Sequence, residues 1–382
     1  MMRSALFSTL LSVAVWSTAA SAVTVNCDAG QSLSQTLATL NKLTPTTVTV
    51  KGTCTEYVLV DGFDNLTLNA VQGATLQQPS TNPQNNQYVL SIRASRSVTV
   101  SGLAVHSLPT ILSGIGIGGG SNDILLQSVS TDGSWGVAVY EASQVWLKKV
   151  TVNITVGYAA VSAFDKSDVH IVDSLLERPT DSNFYAGLFV GSGHVTMQGT
   201  TIRDMQQSIN VSNSGSVDLV NFDPTAAGID VFIENPSGTN YNGAIVTDSS
   251  SLNLSSAKLH ISNAGQSYGY DTGAVLVTNG STLNAGASLI VTGSQGQGVI
   301  VSNSSHAELA GSSITGSVHG GLVVVNSSTA GVDTATPLTA IGANGTDLFC
   351  DSNSQIAGVL NISNAKVVQC TNLLSGKYVT LP

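Results

Sequence analysis

Charge is scarce in this chain: only 9% of its 382 residues are Asp, Glu, Lys or Arg, and the balance is −10. A phosphate-binding surface needs clustered Lys and Arg, so nucleic acid is excluded as a partner. Aromatic residues are also few, at 5%. No segment of the mature chain holds the roughly 18 uninterrupted apolar residues of a membrane span, so none is expected. Four cysteines occur, with no CxxC spacing and no Cys/His cluster, which leaves no structural zinc motif and no thioredoxin-type motif. Neither a metal nor a cofactor is expected.

The apolar stretch that does exist opens the chain. Arg3 precedes a short hydrophobic run from Ala5 to Trp16, and Ala20-Ser21-Ala22 fits small-residue cleavage, so residues 1–22 read as a signal peptide and Val23 as the mature start. The expected location is secreted or periplasmic. In such an oxidising compartment the cysteines fall as two terminal couples, Cys27 with Cys54 and Cys350 with Cys370, although crossed pairings stay formally open.

What the chain has in abundance is Gly, with 38 residues, together with Ser, Thr, Asn and Val. β-Branched residues and Gly oppose helices, while Asn and Ser favour turns. Alternating apolar pairs recur at Val98/Val100, Ile124/Leu126, Val145/Leu147, Val169/Ile171, Val195/Met197, Val217/Leu219, Leu252/Leu254 and Ala307/Leu309. Period-two alternation is a strand signature. A second strand opening on a small residue precedes most of them, as in Gly136-Val137-Ala138-Val139 and Gly321-Leu322-Val323-Val324-Val325. The repeat is mostly 21 to 26 residues long, with stretched coils after Val217 and Leu252. Such a period means a solenoid whose coils bury their faces by stacking.

The fold expected is all-β, a right-handed parallel β-helix of about ten coils and about 48 Å in length at 4.8 Å per coil. Residues 23–382 form it: 23–60 are the N-terminal cap and opening coil, and 345–382 the C-terminal cap. Ser32 to Leu40 has helical apolar spacing and should form a short capping helix. Asn213, Asp248, Asn279 and Asn303 share one coil position and predict a stacked turn in left-handed backbone. Asp223–Gly228 and Asn235–Asn240 read as loops projecting from the solenoid.

Val48-Thr49-Val50-Lys51-Gly52-Thr53-Cys54-Thr55-Glu56, followed by Leu66-Thr67-Leu68, resembles the opening coils of bacterial proteins of the pectin-lyase-like superfamily. That resemblance implies polysaccharide lyases, hydrolases, esterases, tail spikes or non-enzymatic surface proteins. The chain departs from the catalytic patterns. It has no adjacent Asp pair and no Arg-Ile-Lys, Val318-His319-Gly320-Gly321 is a partial echo, and Arg178-Pro179 lacks the second Arg of the lyase pattern. Gly118 to Leu125 resembles a single calcium-binding nonapeptide, but it stands alone. The six histidines, His106, His170, His194, His260, His306 and His319, read as solvated or stacked. Nine Asn-x-Ser/Thr sites read as turn chemistry before glycan attachment.

Aromatics and charges concentrate between residues 135 and 189. The favoured account puts the aromatics inward, filling wide coils, and the charges outward for solubility. The alternative is a glycan site, since flat rings beside hydrogen-bonding groups suit sugars. Its candidate contacts are Trp135, Tyr140, Trp146, Lys149, Asp173, Glu177, Arg178, Arg203 and Asp204. Counted along the repeat, Lys149 with Asp173, Glu177 with Arg203, and Arg178 with Asp204 fall on matching positions and should stack as ion pairs on adjacent coils. The function expected is a secreted β-helix presenting a polar face to polysaccharide or a cell surface. The alternative is a lyase or glycoside hydrolase acting on an acidic or neutral polysaccharide at the central coils.

Overall fold

The computed structural model describes residues 21–81, 87–108, 113–178, 186–235, 242–265, 272–286, 288–332, 339–343, 345–358, 360–362, 368–370 and 373–374. It is a right-handed parallel β-helix, and every ladder between coils is parallel. Three faces wind in order. The first is a 15-stranded sheet running from Ser21–Asn26 through Gln144–Lys148 and Asp168–Val172 to Leu373–Leu374. The second carries short strands such as Ala104–His106, Leu175–Glu177, Thr201–Arg203 and Val231–Glu234. The third carries Tyr88–Arg93, Ser113–Gly118, Ala186–Gly191 and Gln207–Ser212.

Fifteen strands on the first face exceed the ten coils expected, and at about 4.8 Å spacing the stack is about 67 Å long. First-face strands outside the eight alternating pairs read from the sequence include Thr46–Lys51 near the start and Thr329–Val332 near the end. Of the expected signal peptide, only Ser21 and Ala22 are described, and they pair with Thr46 and Thr47 in the first ladder. The short helix is present as Leu33–Thr39, with Ser32 as its N-cap, its side chain accepting from the Gln35 amide. Leu33 and Leu37 close the end of the core. Both expected disulfides, Cys27–Cys54 and Cys350–Cys370, are formed. No helix among the described residues is long and apolar enough to cross a membrane.

Alternation decides the interior. Val145, Leu147, Val169, Ile171, Val195 and Met197 all point inward and join one core that extends from Val25 to Ile356. The small residues opening third-face strands are required by packing. A Cβ on Gly136 would overlap Val152, and one on Gly321 would overlap Ile341, because the chain enters that face against second-face side chains.

The corner from third to first face is a two-residue left-handed turn. Asn213, Asp248, Asn279, Asn303 and Asn326 all have φ between 53° and 57°. The Asn279 amide donates to Asp248, Asn303 to Asn279, and Asn326 to Asn303, at 3.0, 3.2 and 3.1 Å. The next residue but one is a buried Ser in most coils. Backbone N–H groups of Ser121, Ser143, Ser281 and Ser305 donate to the hydroxyls of Ser143, Ser167, Ser305 and Ser328 at 3.1 to 3.3 Å. These hydroxyls give corner amides an acceptor, which the Ser121 amide shares with the Gly118 carbonyl at 3.3 Å. The column is absent from the sequence reading, although its spacing is visible there.

Two expectations fail. The Asp223–Gly228 loop does not project; it folds back along the coils, as described below. The described central aromatics do not fill the interior either. Inward positions there belong to Val137, Val139, Val161, Ala163, Leu188 and Val190, and the rings lie outside. Of the second expected loop only Asn235 is described; residues 236–240 lie outside the described residues.

Candidate functional site

On the third face, Ser91, Gly116, Ala138, Ser162 and Phe189 form one outward register column. Its small members leave a floor on which rings can lie flat. A Cβ on Gly116 would overlap the Tyr88 ring, and one on Gly118 the Tyr140 ring. Tyr88 and Tyr140 stack with centroids 5.8 Å apart. Trp135 stacks on Tyr158 at 5.5 Å and meets Phe164 edge-on at 5.6 Å, and Phe164 continues to Phe189 at 5.4 Å.

A register shift produces part of this cluster. Gly133 pairs with Ile154 but Trp135 pairs with Ala159, so Thr151–Phe164 carries extra residues at the bend and leaves Tyr158 68% exposed. The result is a cleft of about 450 Å³ lined by Gln87, Tyr88, Ser113, Trp135, Ala138, Tyr140, Phe164 and Asp165. That volume falls in the ordinary range for ligand sites. Burial, above all, pushes both phenols up from their ordinary range, so both stay protonated and able to donate.

The second face carries a polar column, His106, Asp132, Asn153, Glu177, Arg203 and Glu234, one residue per coil. His106 Nδ1 lies 2.9 Å from Asp132. Arg203 contacts Glu234 at 2.8 Å and Glu177 at 3.7 Å. Glu177 and Glu234 are two rungs apart, about 9.6 Å at strand spacing. An inverting carboxyl pair at such a distance needs the gap open for water; here the Arg203 guanidinium occupies it.

The first face carries a third arrangement. His194 bridges Asp168 at 2.8 Å and Asp218 at 2.9 Å, one from each neighbouring coil. Hydrogen bonds to Asp168, then to Asp218, push its pKa up to about 9. His170, followed by His194, holds Asp168 well below the usual carboxylate range. Asp218 passes the network on to Asn253 at 2.6 Å. Beside it Trp146, His170 and Phe222 make a ring cluster, with Trp146 and His170 centroids 4.4 Å apart.

Phe222 reaches that cluster because its loop is tied down. Lys148 contacts Asp223 at 2.8 Å and Thr225 at 2.6 Å, which pulls the Asp223 carboxyl down to about 2. Asp173 accepts the Ala227 amide with both oxygens. Gln198 accepts from the amides of Phe222 and Asp223.

The nine predicted contacts are therefore scattered. Trp135 and Tyr140 line the cleft, Trp146 lies on the first face, and Glu177 and Arg203 stack on the second as expected. Lys149 and Asp173 share a turn with φ of 55° and 49°, which aims the Asp173 carboxylate at the loop rather than at Lys149. The ion partner of the loop is Lys148. Pairing of the next strands ends at Glu177 with Arg203. Beyond it Arg178 is only 6% exposed, unsuited to touching a glycan, and Asp204 sits at a left-handed φ of 54°. The expected contact set leaves out Tyr88, Phe164, Asp165 and His194, although Phe164 and Asp165 lie in the central concentration of aromatics and charges and His194 is among the histidines read as solvated or stacked. For Tyr140, Phe164 and His170 the parity of the strand was a usable signal.

No protein-family model matches the chain, and no curated protein matches it. Among solved structures, it is similar to a GH136 lacto-N-biosidase from Eubacterium ramulus, with 10% identity and a TM-score of 0.42 over 90% of this chain and 67% of that one. It is also similar to an alginate lyase from Paenibacillus sp., with 13% identity and a TM-score of 0.20 over 91% and 97% of the two chains. Likenesses this distant carry neither an activity nor a substrate over to this chain.

Proposed function

We propose that the protein is an exported β-helix that binds polysaccharide or cell-surface glycan through the aromatic cleft of its third face. One observation carries the reading: Tyr88, Trp135, Tyr140 and Phe164 are outward and together line a cavity of about 450 Å³. Outward rings forfeit the burial that would reward them in the core, and a ligand with apolar C–H faces restores it. Gln87 and the hydrogen-bonded pair of tyrosine hydroxyls supply the polar groups that orient a sugar. Two disulfides agree with an oxidising compartment.

Retardation in native gels cast with polysaccharide tests this directly. Trp135→Ala and Tyr140→Ala should each weaken retention at least tenfold while leaving the far-ultraviolet circular dichroism unchanged. Equal retention of both folded variants would reject the cleft. The rival reading is a lyase or glycoside hydrolase at the central coils, for which Glu177 is the residue to test. Loss of polysaccharide turnover in folded Glu177→Gln would favour that reading over simple binding.

A further inference from the structure

We infer that the cleft takes a glycan without carboxylate groups, neutral or amine-bearing, and excludes polyuronates; this rests on the glycan reading above.

Polyuronate recognition needs a cation aimed at each sugar carboxylate, and among the lining residues there is none. Their only charged member is Asp165, an exposed carboxylate at the rim, next to Phe164. The guanidinium that acts on both stacked tyrosines, Arg93, lies 3.9 Å from Glu141, whose carboxylate also accepts from the Gly119 amide at 2.6 Å. A uronate approaching Arg93 would therefore meet Glu141 as well.

The medium of the cleft acts in the same direction. Burial is the chief cause that raises Tyr88 and Tyr140, and it outweighs the opposing pull of Arg93 on both, so an anion seated between these rings pays a desolvation cost whether it is a phenolate or a sugar carboxylate. At longer range the whole chain carries −10, which slows the approach of a polyanion. An amino sugar meets none of these penalties and gains the Asp165 carboxylate as a partner.

Isothermal titration of the full-length mature protein against three probes would test the assignment: a neutral xylan or glucan oligosaccharide, a chitosan oligosaccharide and an oligogalacturonate. Binding of the neutral or amine-bearing probe at least tenfold tighter than the uronate, and lost in Trp135→Ala, supports it. Asp165→Lys, which supplies the missing cation at a left-handed position of the kind Lys149 and Lys166 already occupy, should raise uronate affinity at least tenfold. Uronate binding as tight as the others, yet still abolished by Trp135→Ala, overturns the assignment and keeps the glycan site. Binding of no probe, or binding indifferent to Trp135→Ala, overturns the glycan site itself.

Discussion

The Lys148 ammonium lies 2.8 Å from the Asp223 carboxylate, although 75 residues separate them and their coils are three rungs apart on the first face. With the Asp173 contact to the Ala227 amide, it straps the 221–228 loop across the turns below. Asp173→Ala should speed hydrogen exchange at the Ala227 amide about tenfold, whereas global stability should fall by no more than about 1 kcal/mol, as expected for contacts at the surface. Unchanged exchange at Ala227 would show that the strap does not depend on Asp173.

His194 makes stability depend on pH. Its folded pKa of about 9 lies above the ordinary value near 6.5, so its contribution is complete below about pH 6.5 and fades as pH rises toward 9. Asp168 is shifted the other way, so its share is present above about pH 4 and is lost in acid. The unfolding free energy from urea titration should be highest between about pH 4 and 6.5 and decline toward pH 9, by roughly 1 kcal/mol or less because the imidazole is partly exposed to solvent. In His194→Gln the decline from 6.5 to 9 should vanish. If that variant keeps the wild-type slope, His194 is not its source.

The buried serine column should behave as a structural element. Ser143→Ala removes the acceptor of the Ser121 amide and cannot replace it with water at the corner. A loss of about 1–3 kcal/mol is expected, the cost of a buried donor left without its partner. Chemical denaturation showing less than about 0.5 kcal/mol would mean that the Gly118 carbonyl, 3.3 Å from the same amide, suffices alone.

The two disulfides should protect the ends of the stack. A Cys27→Ser/Cys54→Ser double variant is expected to lose about 2–4 kcal/mol. The end of the solenoid has neighbours on one side only, so the loss should show first in exchange at Val25 and Val50. Peptide mapping of the unreduced protein must recover the Cys27–Cys54 and Cys350–Cys370 pairs without a free thiol.

The solenoid, its register and its N-terminal capping helix are legible in the chain because they follow from local rules. Period-two alternation admits one inward set per strand, so Val145, Leu147, Val169 and Ile171 declare the core before any contact is known. The same parity places Trp146, Tyr140, Phe164 and Phe189 outside, against the account that sends aromatics inward. The Asn column and the Cys27–Cys54 couple likewise need only a repeat length and the chemistry of a turn or an oxidised thiol. Tertiary structure alone decides the rest. Tyr88 opens its strand and Trp135 follows the bend inside Ser130–Val139, where alternation is interrupted, and only that bend and the small residues at 116 and 118 seat Tyr88 against Tyr140 and Trp135 against Tyr158 and Phe164. Matching coil positions put Lys149 beside Asp173 in register, but a left-handed backbone turned the carboxylate elsewhere, toward a loop 54 residues away. Sequence spacing carries the register between coils; side-chain direction at a turn, and the course of an insertion over neighbouring coils, depend on contacts that no local pattern contains.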